Sequence, residues 1–336
     1  MSRYNDIRTN VVGLAFDELR FLRLTGSDTI EYLHRMVTQD IRTMAPHDAR
    51  AACLCTHKGK LVGHLLIVRW DDQVILVTPA THFEAVFFQL EKYVIVDDVV
   101  LEDASDDWKL LSVQGPKSEE IIREHFAVAN PEFTKNFETS LVALDNDAQI
   151  IGFEHTRTGE RGIDLLVPKP QFEKVVKTLE DAIGALENEH DQAFNRARIE
   201  AGIPAANTEL TDAIIPVEAA LQHTISYTKG CYAGQEVIAK IKYLGEPPKT
   251  LLSLTADMES FSNEANIELQ NGGKTLGTVT SWFRVPESQQ VVLLGFIKTR
   301  MIPKIETIDL FADGEVLGTT TVSIDPVVWG SGFELI

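Results

Sequence analysis

The chain has 336 residues, 44% of them hydrophobic and 24% charged, which suits a soluble globular protein large enough for two or three domains. Its formal net charge of −19 disfavours a nucleic-acid partner held through phosphate contacts. The most apolar run, Leu61 to Val68, is too short to cross a membrane and holds His64, and the polar opening from Met1 to Asn10 lacks a signal-peptide core. With three cysteines in no even framework, a reducing, cytoplasmic setting and no membrane contact are expected.

In chain order, Glu18 to Leu24 alternates as a strand closed by Gly26. Asp28 then reads as an N-cap with Glu31 at the third helical position, a capping box, and Ile30, Leu33 and Val37 supply the helix's apolar face. Ala51 to Thr56 and Leu61 to Trp70 form a hairpin across His57-Lys58-Gly59-Lys60. Cys53 and Cys55 share one face of its first strand, where small side chains packed in a sheet explain them better than metal ligation. Gln73 to Thr78 is a strand. Phe83, Val86, Phe87, Leu90 and Val94 then make a helical core stripe. Trp108 to Val113 is a strand, and Pro116 is expected at the first position of a helix with Glu119, Glu120 and Arg123 outward.

Ala143 to Thr156 and Gly162 to Val167 are strand-like, and Pro170 starts a helix whose face is Phe172, Val175, Val176, Leu179 and Ile183. Gln192 to Ala201 is helical, stopped by Gly202-Ile203-Pro204. Strands and helices mix without a βαβ rhythm, so the fold class is α+β. Pro247-Pro248 marks a linker that divides residues 1–246 from 247–336. Beyond it, Thr250 to Ser323 holds short strands with turn pairs Asn271-Gly272 and Asp313-Gly314, a small antiparallel β-barrel or sandwich.

One run resists explanation by packing. In Thr228-Lys229-Gly230-Cys231-Tyr232-Ala233-Gly234-Gln235-Glu236, glycines flank a single thiol, with a lysine two residues before it. A helix is expected to follow, with Val237, Ile238 and Ile241 on one face and a Glu236–Lys240 pair on another. Cys231 thus stands ahead of a helix start and near an ammonium, two features that favour thiolate over thiol. The competing reading is an inert cysteine beside a strand-to-helix turn, and the polar and glycine flanks weigh against it.

Lys-Gly-Cys-Tyr-x-Gly-Gln-Glu resembles the signature of the YgfZ-type folate-binding proteins. These are relatives of the aminomethyltransferase, or T-protein, of the glycine cleavage system that act in iron–sulfur cluster maintenance. Leu24-Thr25-Gly26, Thr38-Gln39-Asp40, Gln114-Gly115-Pro116 and Ile215-Pro216-Val217-Glu218-Ala219 resemble further landmarks of the group. The resemblance implies a three-domain cloverleaf with two interleaved N-terminal domains, a C-terminal β-barrel and a central channel for tetrahydrofolate or a one-carbon derivative of it. Thr158-Gly159-Glu160-Arg161-Gly162-Ile163-Asp164 resembles the run whose second acid grips the pterin, which points to Asp164 with Glu160. Arg196 and Arg198 lie on the helix that matches the family's arginine helix and are candidates for the glutamate tail, although helix-surface salt bridges explain them equally well; Tyr232 and Gln235 belong to the thiol motif.

The implied function is a tetrahydrofolate-binding accessory protein for iron–sulfur cluster assembly or repair, including clusters of tRNA-modifying radical enzymes. Cys231 and Lys229 are then its reactive pair, cluster-assembly proteins or client enzymes its partners, and no metal is assigned. Where T-proteins carry paired aspartates, this chain has Gly63-His64, which weighs against the alternative of an aminomethyltransferase or other one-carbon transferase. His64, with an ordinary pKa near neutrality, could stand in for the lost acid, but a His among apolar strand residues is more often packed. A second alternative is a non-catalytic module that binds folate or a partner.

Overall fold

A computed structural model describes residues 3–128, 139–144, 148–206, 208–257, 266–288, 290–312 and 314–321. Among these, the α-helices are α1 (Arg3–Thr9), α2 (Thr29–Met36), α3 (Ala80–Tyr93), α4 (Ser118–His125), α5 (Lys169–Ile183), α6 (Gln192–Glu200) and α7 (Gln235–Leu244). They pack around three sheets.

The first sheet is five-stranded and antiparallel, in the order Ala49–Cys55, Leu61–Trp70, Gln73–Pro79, Leu19–Thr25, Val100–Asp103. Its alternation sends Leu22, Leu24, Leu65 and Ile67 to one face, where they bury against Leu33 of α2 and Phe83, Val86 and Leu90 of α3. Phe21, Leu66, Val68 and Ile75 go to the other face and meet Leu110, Phe153 and Leu166 of the second sheet.

That second, seven-stranded sheet runs Glu187–Asn188, Val12–Ala15, Trp108–Gln114, Gly162–Pro168, Ala148–Glu154, Thr139–Leu144, Ala127–Val128. It is antiparallel except where Val12–Ala15 lies parallel to Glu187–Asn188. The chain therefore contributes Val12–Ala15 to the second sheet before it builds the first. Val175 and Leu179 of α5 and Ile122 of α4 cover the outer face.

The third sheet, six-stranded and antiparallel, runs Lys249–Asp257, Gln290–Lys298, Lys274–Arg284, Glu268–Asn271, Thr307–Ala312, Glu315–Thr321. It curls so that Thr320 Oγ1 donates to Thr255 O at 2.5 Å, bringing its two outer strands together. The Asn271-Gly272 turn is present, with Gly272 at φ +55° and Gly273 at +75°, while Asp313 of the other expected turn lies outside the described residues, as do 322 and 323.

Three local expectations are corrected. Asp28 is the N-cap of α2, but its carboxylate accepts from Asp98 N at 2.8 Å, and Glu31 pairs with Arg42; no capping box forms because both acids have partners outside the helix. Helix α4 starts at Ser118 with Lys117 as N-cap, two residues past Pro116, after a turn in which Gly115 takes φ +132°. The strand expected from Ala143 to Thr156 is two paired strands, and residues 145–147 between them lie outside the described residues. No helix among the described residues is long and apolar enough to cross a membrane.

Candidate functional site

Cys53, Cys55 and Leu61 of the hairpin turn to the end of the first sheet where the chain's later segments converge. They pack with Ile214, Leu221, Tyr232 and Ile238, and with Leu251, Leu294 and Phe296 of the third sheet. Burial pushes the Cys53 thiol up to about 12 and the Cys55 thiol well above its ordinary value, so both are small core side chains.

Cys231 is different. It is exposed, and so is Gly230, at which an added Cβ would meet nothing within 4 Å among the described residues. Of the two flanking glycines, only Gly234 needs its freedom. At φ +85° it caps α7, and a Cβ there would lie 2.7 Å from Thr56 O and 2.8 Å from Gly59 Cα. The thiol turn thus sits directly on the hairpin turn at Gly59. The expected Glu236–Lys240 pair forms at 3.0 Å, and Ile238 is buried with Val237 and Ile241 beside it.

Lys229 is turned into the protein. Its ammonium is buried and donates to three backbone carbonyls, those of His34, Val37 (2.6 Å) and Gln39 (3.0 Å). Burial pulls its pKa down to about 8, against the opposing pull of Asp40. Tyr232 is 8% exposed, its ring 5.1 Å from the Lys229 ammonium, and Gln235 is half-buried at the first position of α7.

Asp164 lies on the strand Gly162–Pro168 with no exposed surface. Arg157 reaches its carboxylate with Nε at 3.0–3.1 Å and a terminal nitrogen at 2.6 Å, and His155 Nδ1 lies 2.8 Å from Oδ2. Burial alone would raise this pKa; Arg157 and His155 override it and hold the carboxyl well below the usual range. The Arg157 guanidinium also stacks 4.3 Å from the centre of the Phe16 ring.

His64, on the strand Leu61–Trp70 directly opposite Cys53, comes under the electrostatic influence of His223, His155, His82 and Arg157. These residues come from separate segments of the chain. Burial first, then the neighbouring imidazoles and Arg157, hold His64 well below its ordinary pKa; burial likewise takes His223 down to about 4 and lowers His155 and His82. His64 Nε2 is buried and has no hydrogen-bond partner among the described residues. Sequence reasoning missed Arg157, His155 and His223. The signal for the first two was available, since a hairpin closing over Thr158–Arg161 pairs His155 with Gly162 and brings its flank to Asp164.

The other expected binding residues sit in two separate networks. Glu160 and Glu200 both pair with Arg8, and Arg196 joins Glu200 (3.0 Å) and Glu287 (3.0 Å) while stacking on Tyr4. Arg198, two positions on, instead bonds Ile203 O and Ser281 Oγ and lies 3.5 Å from the fully buried Glu209, tying α6 to the third sheet. Among the described residues, the group close enough to share a metal is Glu18, Glu189 and His190, and Glu189 already accepts from the backbone N–H groups of Asp17 and Glu18.

A family model described as the GCVT N-terminal domain matches residues 3–229. An aminomethyltransferase of Exiguobacterium sibiricum is 27% identical over 310 residues, 90% of this chain and 82% of that one. A tRNA-modifying protein YgfZ of Klebsiella pneumoniae is 27% identical over 285 residues, 83% of each chain. Among solved structures, the glycine cleavage system aminomethyltransferase T from Bartonella henselae superposes with a TM-score of 0.78 at 19% identity, over 97% of this chain and 88% of that one. At that identity the likeness speaks for the fold.

Proposed function

Because this chain belongs to the GCVT N-terminal domain family, as a YgfZ-type member of it, we propose that it is a folate-binding accessory protein whose working thiol is Cys231 and whose clients are iron–sulfur enzymes, tRNA-modifying ones among them. The observation that carries the reading is the contrast among the cysteines. Two are sealed in the core, and the third stands exposed on a turn built over the hairpin.

Folate, in this reading, lies against the Arg157, His155 and His64 group. The residue types fit it. A pterin needs donors and acceptors in one plane, and the buried, unpartnered His64 Nε2 offers one of them beside the charge of Arg157. Asp164 then orients Arg157 and His155, and touches pterin directly only if Arg157 yields an oxygen to it. Bound folate would supply a one-carbon unit or its redox chemistry. The protein residues hold the ring and keep the imidazoles neutral.

Several named relatives are aminomethyltransferases, which favours a second reading as a one-carbon transferase. Gly63 and His64 at the place of the family's paired acids weigh against it. Two measurements test the first reading. Cys231→Ser should abolish restoration of cluster-enzyme activity in cells that lack the protein. In equilibrium dialysis, tetrahydrofolate should bind wild type and Cys231→Ser alike, and Arg157→Gln at least tenfold more weakly, roughly the loss of one charge-assisted contact. Full activity of Cys231→Ser, or equal binding by Arg157→Gln, contradicts it, and conversion of tetrahydrofolate with an aminomethyl-lipoyl carrier into methylenetetrahydrofolate, ammonia and the dihydrolipoyl carrier would establish the second.

A further inference from the structure

The segment that carries Cys231 runs alongside the stretch that follows α2 and is stitched to it. Ser226 N donates to Thr38 O at 3.0 Å, and Gln39 Nε2 donates to His223 O at 3.0 Å. Thr38 Oγ1 donates to Thr224 O at 2.6 Å and accepts from Cys53 N at 2.8 Å. Lys229 closes the seam on the carbonyls of His34, Val37 and Gln39, residues 190 to 195 positions away in the chain.

The His34 and Val37 carbonyls belong to the last turn and C-cap of α2, where the helix leaves acceptors without helical donors and its dipole is negative, and Gln39 lies three residues past the helix's last residue. An ammonium has three N–H donors to match three convergent oxygens. An arginine spreads its donors outward over a longer, planar fork, a poorer match to three oxygens drawn to one point, and a methionine places none. The aromatic face of Tyr232 adds a fourth side to the cation's cage.

Tyr232 is itself fixed, packed with Cys53, Cys55 and Ile238. Gly230 and Cys231 are therefore an exposed two-residue crest between two buried feet, Lys229 and Tyr232. The ammonium's three donors all go to backbone carbonyls at and just beyond the end of α2. The arrangement fixes where the sulfur stands.

We propose that Lys229 is a positioning residue, which clamps the Cys231 crest to the end of α2 so that the thiol is presented to a partner protein in one orientation. This rests on the reading of Cys231 as the working thiol, and it replaces activation by a neighbouring charge with presentation by an anchored loop.

The test compares full-length wild type, Lys229→Met and Lys229→Arg by amide hydrogen exchange, by the pH profile of iodoacetamide alkylation at Cys231, and by cluster-enzyme activity in cells. Anchoring predicts amides of residues 228–233 exchanging about tenfold faster or more in both variants, an alkylation profile with the wild-type midpoint, and activity that Lys229→Arg fails to restore. A midpoint displaced to higher pH with exchange unchanged overturns the proposal, and so does full rescue by arginine. Should Lys229→Met fail to fold, the ammonium resonance of wild-type Lys229 decides: it should exchange its protons slowly, and exchange as fast as that of the exposed Lys240 overturns the clamp. If Cys231→Ser remains active in cells while the exchange result holds, the functional reading fails and the clamp stands.

Discussion

The Arg157 guanidinium closes on the Asp164 carboxylate with a 2.6 Å contact to Oδ2 and Nε within 3.1 Å of both oxygens, at a site where the acid has no exposed surface. A buried ion pair costs desolvation on both sides, but breaking one side strands a charge, typically at about 3–5 kcal/mol. Arg157→Gln should lose stability of that order in urea unfolding at pH 7. The double change Arg157→Gln, Asp164→Asn should lose less, because no lone carboxylate remains. With its folded pKa below the ordinary 3.8, Asp164 contributes stability that is present above that value and lost as pH falls through the folded pKa. A double variant as unstable as Arg157→Gln alone would contradict the assignment.

The imidazoles predict a second pH dependence with the same sign and a higher window. His64, His82, His155, His223 and His34 all have folded pKa values below the ordinary 6.5, chiefly through burial. The unfolded chain therefore binds more protons than the folded one once pH drops below about 6.5. Stability should be full above that point and fall toward pH 4, with more than one proton taken up on unfolding. Urea midpoints at pH 7.5 and 5.0 check this, and His223→Asn should lower the uptake by about one proton. Equal midpoints at the two pH values would refute it.

What could be read from the chain beforehand follows the range of the interactions. The hairpin at Gly59, the helical stripe through Phe83 and Leu90 and the turn at Asn271-Gly272 depend on neighbours a few residues apart, and each stands where the pattern put it. Asp28 shows the limit, because a local capping signal lost its carboxylate to Asp98, 70 residues on. Lys229 shows it more strongly. Proximity in sequence suggested a partner two residues away, whereas the carbonyls that hold it lie in the other half of the chain. Asp164 could be singled out in the sequence but not told apart from a solvated acid; its partners Arg157 and His155 follow once the strands either side of Thr158–Arg161 are paired as a hairpin.

The three thiols should separate in reactivity. Cys231 is exposed, while burial raises Cys53 to about 12 and Cys55 well above its ordinary value. Titration of the native protein with a disulfide reagent should count one thiol promptly, and three after denaturation. Two or more reacting promptly in the native state would mean that the hairpin core opens.

The glycines around the thiol make opposite predictions. Gly230 has open space at its Cβ position and no left-handed φ, so Gly230→Ala should change stability by no more than about 0.5 kcal/mol. Gly234 sits at φ +85° with Thr56 O 2.7 Å and Gly59 Cα 2.8 Å from where a Cβ would be. The left-handed conformation alone costs a non-glycine residue about 1–3 kcal/mol, and here backbone atoms, which cannot swing aside, add to it. Gly234→Ala should therefore lift the start of α7 off the hairpin turn, lower the melting temperature by several degrees and speed proteolysis between Cys231 and Gln235. If both alanine variants melt together with wild type, the seating of the thiol turn on the Gly59 hairpin is wrong.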